Sequence, residues 1–192
     1  LMHCSYDIVA RMDTDDISLP NRFEKQIKIF ERESIDVCSS WVAEFDVDEN
    51  NIQFLKKLPE NLADLKKYGK YRSPLNHPVV MYRKGVILKY GGYPVIPFFE
   101  DYASWCTLLK DSVHIYNIQE VLLKMRANNN LYKRRSGVVY LKNEIRFLKY
   151  IKKINYINLF DFMLLVLLRL PIRLIPFNII KLIYKNILRN KN

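Results

Sequence analysis

The amino-acid sequence predicts an α/β domain followed by a mostly helical, basic appendage. Three observations carry that reading. Short apolar runs of strand type alternate with stretches of helical period as far as residue 126. Hydrophobic residues make up 49% of the 192-residue chain, enough to build a core. Charge is unevenly placed: residues 133–192 hold 14 Lys and Arg against only Glu144 and Asp161, whereas residues 1–132 hold 17 against 18 acids.

The elements follow in order. Residues 6–12 read as a short buried strand, and Asp13, Asp15 and Asp16 sit on the loop at its carboxyl end. Pro20 suits the first position of a helix capped at Ser18 or Leu19. That helix runs to about Arg32, with Phe23, Ile27 and Phe30 sharing the inward face. Ile35 to Phe45 is strand-like, and the acidic run Asp46–Asn51 is a solvated turn. Asn61 to Tyr68 is a short helix with Leu62 and Leu65 inward, ended by Gly69. Val79 to Tyr82 forms a strand, Gly85 to Lys89 a short helix, and Gly91-Gly92-Tyr93-Pro94 a turn. Glu100-Asp101 opens a helix whose Tyr102, Trp105, Leu108 and Leu109 face a core. Val113–Asn117 and Val121–Arg126 alternate as a pair of strands on a sheet edge. Asn128-Asn129-Asn130 is the expected boundary, dividing the chain into residues 1–130 and 131–192.

Beyond it, Val138, Leu141, Ile145, Leu148 and Ile151 mark a helix with lysines and arginines on its other faces. Residues 157–188 are rich in Leu and Ile. Their longest stretch without Asp, Lys or Arg, Phe162 to Leu168, is too short to cross a bilayer, which needs about 20 apolar residues. From Phe177, Lys181, Lys185 and Arg189 recur every fourth residue opposite Ile180, Ile183, Ile187 and Leu188. That is a basic amphipathic helix suited to an anionic membrane surface, and the same apolar face also suits packing on the domain. A nucleic-acid partner is disfavoured, because the basic residues alternate with aliphatic side chains and not with stacking aromatics. Cys4, Cys38 and Cys106 are odd in number and far apart, which argues against a disulfide framework or a zinc site. No basic, apolar leader stands at the start, and no repeat of solenoid length occurs.

Two features carry chemistry. Clustered aspartates at a strand end present hard oxygens to Mg²⁺ or Mn²⁺, and they equally suit an Asx turn and a helix cap. Carboxylates in the first turn of a helix stay ionised, so Glu100 and Asp101 can accept a proton or serve only as N-terminal acids.

Four landmarks in order give these features a context. RMDTDDISLPNRFEKQ, NHPVVMYRK, GGYPVIPFFEDYASWCTLL and VLLKMR together resemble the second half of a family 2 glycosyltransferase domain of the GT-A fold, over roughly Tyr6 to Arg126. The resemblance implies a metal-dependent, inverting transferase of polysaccharide biosynthesis. Its donor would be a nucleotide-diphospho-sugar and its acceptor a glycan or a lipid-linked glycan. It also implies roles. Asp15, with Asp13, would hold Mn²⁺ or Mg²⁺ on the nucleotide diphosphate, and Asp16 would orient the loop. Asp101 would be the general base, with Glu100 beside it, and His77 would line the acceptor side. Arg126 either faces the diphosphate or packs as a strand-end cation, and Trp105 is a core residue. In that family an upstream half binds the nucleotide. The chain is therefore expected to be a fragment, a partial GT-A domain that binds nucleotide-sugar weakly by itself. Residues 133–192 would hold it on the cytoplasmic, inner face of the cell membrane. The alternative is a non-catalytic, membrane-associated remnant.

Overall fold

The computed structural model describes residues 1–32, 34–127 and 137–174. The expected boundary loop at Asn128–Asn130 and the basic helix from Phe177 lie outside them. In chain order the elements are β1 (Ile8–Ala10), β2 (Ile17–Ser18), α1 (Arg22–Arg32), β3 (Val37–Phe45), β4 (Ile52–Lys56), α2 (Leu62–Tyr68), a 3₁₀ turn (His77–Val79), β5 (Met81–Arg83), α3 (Lys84–Lys89), α4 (Glu100–Lys110), β6 (Ile115–Arg126), α5 (Gly137–Lys153) and α6 (Leu159–Leu174).

The strand β3 organises the sheet. All of its residues but Trp41 are buried, so neither face meets water, the pattern of a strand covered on both sides. The sheet runs β1-β5-β3-β6-β2, with β4 also paired to β3. β3 and β6 are parallel, and every other pair is antiparallel. Side-chain alternation divides the core. Cys38, Val42, Val79 and Met81 face one way, onto Phe30 of α1. Val37, Val80 and Tyr82 face the other way, onto Leu65 of α2 and Trp105, Leu108 and Leu109 of α4.

α4 is buried on two faces because it is covered twice. Trp105, Leu108 and Leu109 meet the sheet, while Tyr102, Ala103 and Cys106 meet Tyr140, Phe147, Leu148 and Ile151 of α5. The Phe147 ring stacks on Phe99 at 5.0 Å and tilts against Tyr102 at 4.4 Å. Residues 137–174 thus share a core with the helix that opens on Glu100 and Asp101.

Four sequence expectations change. Val113–Asn117 and Val121–Arg126 are one strand of twelve residues, β6, lying between β3 and β2 and not on an edge. The register slips from Ser40↔Ile118 to Trp41↔Val121 and Val42↔Leu123, so the polar pair Gln119-Glu120 is a bulge and not a turn. Glu120 is ion-paired there with Lys25 of α1. The strand β4 goes unread in the sequence because it is a half-exposed hairpin arm beyond the acidic turn. On α1 the inward residues are Arg22, Gln26 and Phe30, and Phe23 is 50% exposed. On α5 the inward face is Tyr140, Glu144, Phe147, Leu148 and Ile151, and Val138 is exposed.

Gly69 ends α2 for a different reason from the expected one. Its φ is −63°, which any residue adopts. A Cβ there, however, would lie 2.4 Å from the Tyr156 hydroxyl and 2.9 Å from the Leu65 carbonyl oxygen. Tyr156 Oη donates to the Lys66 carbonyl (2.9 Å) and Tyr102 Oη to the Gly69 carbonyl (2.8 Å), so three segments meet at this point. Gly69→Ala is expected to destabilise the chain by about 1–3 kcal/mol through forced displacement of Tyr156. A urea unfolding midpoint unchanged by the substitution would show that the junction yields freely.

Candidate active site

The aspartate loop is held at both ends. At its start, Arg11 N–H donates to the Val80 carbonyl (2.8 Å), continuing the β1–β5 pairing. Arg22, fully buried on α1, donates from Nη2 to the Arg11 carbonyl (2.5 Å) and from Nε to Gln26 Oε1 (3.0 Å). Gln26 Nε2 donates onward to the Val79 carbonyl (2.7 Å), in the 3₁₀ turn that carries His77. A buried polar relay thus ties the loop to that turn. At the far end, Asp16 Oδ1 accepts the Arg126 backbone N–H (2.9 Å), which pins the loop to the end of β6.

The three aspartates differ in exposure. Asp13 is half-buried and paired with Arg11 (3.2 Å). Asp15 is exposed, and among the described residues no side chain bonds to its carboxylate. Asp16 is buried, and its Oδ2 has no partner among them. Burial pushes the Asp16 carboxyl up to about 6, with the neighbouring Asp15 and Asp13 charges adding to the effect and the Arg126 N–H opposing it. A carboxyl raised in the fold favours folding when protonated. In the metal-free chain its contribution is therefore fully present only below the ordinary value of 3.8 and is lost as pH rises from there through about 6, with a magnitude of up to about 3 kcal/mol. Asp16→Asn keeps an acceptor for Arg126 and removes the charge. The variant is expected to gain stability over wild type at pH 7.5 and to gain only about a third as much at pH 4.5. Urea midpoints at the two pH values check this, and an equal difference at both would exclude it.

Arg126 packs as a strand-end cation. Its Nη1 donates to the Asp46 carbonyl (3.0 Å), its Nε to the Asp15 carbonyl (3.4 Å), and its guanidinium lies 4.7 Å from the Phe45 ring centroid.

Facing the loop is an aromatic cluster. Asn76 is locked by Ser39 Oγ, which accepts its N–H (3.2 Å), and by the Ser40 carbonyl, which accepts from Nδ2 (2.7 Å). That fixes the His77 turn on β3. The His77 ring lies 5.7 Å from Tyr93 and 5.9 Å from Trp105. Trp105 is fully buried, as expected of a core residue. Burial lowers the His77 pKa, opposed by the negative charges of Asp101, Asp13 and Glu100 and assisted by Arg11. The imidazole is neutral at pH 7. It feels the Asp13 carboxylate of the loop as well as Asp101 and Glu100 at the start of α4, and its ring lies beside Trp105, so residues distant in sequence converge around it. His77 Nδ1 has no partner among the described residues.

α4 opens after a tight approach. Gly91 and Gly92 take φ of +84° and +71°, and Ser104 Oγ donates back to the Gly92 carbonyl (3.1 Å). Phe98 takes φ +73°, a conformation that costs a non-glycine residue about 1–2 kcal/mol. The first turn then presents Asp101 half-buried and Glu100 exposed. No side chain among the described residues bonds to Asp101. Its anion sits at the positive end of the helix dipole.

Asp13 and Asp15 supply hard oxygens suited to a divalent cation whose remaining ligands come from phosphate and water. Among the described residues no group of three or more His, Cys, Asp or Glu side chains is placed to hold a metal ion. Sequence reasoning missed Arg22, Gln26, Asn76 and Tyr93. The first two carried a signal, a polar pair at i, i+4 directly after the aspartate loop.

Residues 1–90 match the family model described as glycosyl transferase family 2. The chain is 37% identical over 190 residues to UDP-Gal:alpha-D-GlcNAc-diphosphoundecaprenol beta-1,3-galactosyltransferase of Escherichia coli, covering 98% of this chain and 69% of that protein. The chain belongs to glycosyl transferase family 2. GT-A glycosyltransferases share its fold. S. aureus TarS in complex with UDP-GlcNAc matches with a TM-score of 0.57 at 12% identity, over 78% of this chain and 44% of that one. The mannosyltransferase PcManGT from Pyrobaculum calidifontis, in complex with GDP-Man and Mn²⁺, matches with a TM-score of 0.51 at 11% identity, over 79% and 41%. The chain thus spans less than half of each of these two proteins of known structure and about two thirds of the E. coli galactosyltransferase. Membership makes the protein a sugar transferase by homology.

Proposed function

We propose that the protein moves one sugar from a nucleotide-diphospho-sugar to a lipid-linked glycan acceptor, with inversion at the anomeric carbon, on the inner face of the cell membrane. The observation that carries this reading is the convergence on His77 of the Asp13 loop and the Asp101 helix start. A displacement at an anomeric carbon needs positive charge on the leaving side and a proton acceptor on the attacking side. The two carboxylate sets suit those two tasks.

The acceptor hydroxyl oxygen bonds to the anomeric carbon as the bond from that carbon to the diphosphate oxygen breaks. The hydroxyl proton passes to the Asp101 carboxylate, and the nucleoside diphosphate leaves. Mn²⁺ or Mg²⁺ held by Asp15 and Asp13 would supply the charge that stabilises the departing diphosphate. Asp16 and Arg126 keep the loop in place, while the Arg22–Gln26 relay holds it in register with the His77 turn. His77, neutral and against Tyr93 and Trp105, forms the floor on the acceptor side. One base with no carboxylate nucleophile matches a single displacement, hence inversion, by the reasoning that separates inverting from retaining glycosidases. The E. coli relative, a galactosyltransferase of GlcNAc-diphosphoundecaprenol, supports a polyprenyl-diphosphate-linked acceptor, and the UDP-GlcNAc and GDP-Man held by the two solved structures support a nucleotide-sugar donor.

The test is transfer by the full-length protein carrying these residues. Donors would be UDP-Gal, UDP-GlcNAc and GDP-Man, and the acceptor a polyprenyl-diphosphate-linked N-acetylglucosamine. The anomeric configuration of the product is read by NMR. Retained configuration would overturn the single-displacement assignment. Absence of transfer from every donor would favour the non-catalytic reading.

A further inference from the structure

The helix α6 is built inside out. Its described charged side chains all turn inward. Asp161 pairs with Lys70, just after α2 (2.7 Å), and Arg169 (2.8 Å) and Arg173 (2.6 Å) both pair with Glu144, which is fully buried on α5. Leu165 is the fully buried apolar residue of its inward face, and Phe162, Val166 and Leu170 pack beside it, partly buried. Five large apolar side chains turn outward: Phe160 is 74% exposed and Leu167 70%, with Leu159, Met163 and Leu168 also more than half exposed. Phe160, Met163, Leu164, Val166 and Leu167 line a shallow apolar groove of about 370 Å³ on this face. A helix facing water shows the opposite arrangement, because apolar surface leaves water and charge stays in it. At sixteen residues α6 is too short to span a bilayer, and no described helix is long and apolar enough to do so.

We propose that the outward face of α6 docks into the interface of an anionic lipid bilayer. Charge decides for lipid over a second copy of the chain or another protein. Exposed lysines and an arginine line the neighbouring helix α5 at Lys142, Arg146, Lys149 and Lys153, and the only acids of residues 133–192, Glu144 and Asp161, are taken up internally. The sequence beyond α6 adds Lys181, Lys185, Arg189 and Lys191 and no acid. An apolar helix face beside unopposed positive charge is the pattern of interfacial membrane binding. The inference is independent of the transfer reaction, and docking here would bring a lipid-linked acceptor to the protein.

The test is vesicle flotation of the 192-residue chain. Vesicles of phosphatidylcholine with about one third phosphatidylglycerol are compared with phosphatidylcholine alone. The wild type is expected to float with the anionic vesicles. Substitution of Phe160, Met163 and Leu167 together by Ser is expected to lower partitioning at least about tenfold with the thermal melt unchanged, because those side chains are exposed. Three results would overturn the proposal. The wild type stays unbound, the triple variant floats as the wild type does, or sedimentation shows a dimer that the triple variant dissolves. Asp101→Asn is expected to float normally, so failure of docking and failure of the catalytic reading are distinguishable.

Discussion

Asp101→Asn is expected to lower the turnover number for sugar transfer by about 10²–10⁴-fold, the range that a positioned general base contributes. The variant keeps the shape of the side chain and removes its ability to take a proton. Asp101 makes no side-chain bond among the described residues and lies in the first turn of α4, so the fold does not depend on its charge. The loss should fall on turnover, leaving donor affinity and the acceptor KM within a few-fold, because the interaction removed exists only as the proton moves. Glu100 is exposed at the same helix start, and Glu100→Gln is expected to have a much smaller effect. His77 is the competing base, since burial keeps its imidazole neutral at pH 7. A wild-type rate in Asp101→Asn together with a large loss in His77→Gln would transfer the base role to His77. The expected result for His77→Gln is instead a raised acceptor KM.

The landmarks of this site were legible in the sequence because each one is local. A strand that ends in clustered Asp, Pro near a helix start, paired Gly before a turn and acids at a helix N-terminus all announce themselves over a few residues. What escaped depends on distant partners. Arg22 looks like a surface residue of an amphipathic helix. It is buried with Nη2 on the Arg11 carbonyl and Nε on Gln26, and neither bond can be inferred from helical period alone. Phe23 was assigned its place inside for the same reason: period alone ranks Phe above Arg for burial. The break at Gln119-Glu120 reads as a turn between two strands, and only the parallel partner β3 shows it to be a bulge within one. Gly69 looks like a left-handed cap and is in fact a steric gap for Tyr156, which lies far along the chain. Even the outward apolar face of α6 follows from a tertiary fact, the capture of Arg169 and Arg173 by Glu144.

The relay from Arg11 through Arg22 and Gln26 to Val79 also bears on how the site acts. It joins the loop proposed to hold the leaving diphosphate to the turn proposed to line the acceptor. Both sides are thereby referenced to one buried helix face. Positioning to within a fraction of an ångström is what an in-line displacement requires.

Asp15→Ala is expected to lower transfer by about 10²–10³-fold, since several kcal/mol of charge stabilisation on the departing diphosphate are removed and each 1.36 kcal/mol is tenfold. It should leave the melting temperature unchanged, because the Asp15 side chain is exposed and bonds to nothing among the described residues. That separates it from its neighbours. Asp13→Ala also breaks the half-exposed pair with Arg11, worth about 1 kcal/mol or less. Asp16→Asn leaves both candidate ligands intact and should retain dependence on the cation. The measurement is the rate of transfer against Mn²⁺ concentration for the three variants, after stripping the ion with a chelator. Wild type should lose activity on stripping and regain it with Mn²⁺, whereas Asp15→Ala should need far more of the ion or fail to recover. If Asp15→Ala keeps the wild-type rate and half-saturation, the loop is a turn that caps α1. The charge on the leaving group would then have to be met by cations the aspartates do not hold, with the basic side chain of Arg11 standing nearest to them.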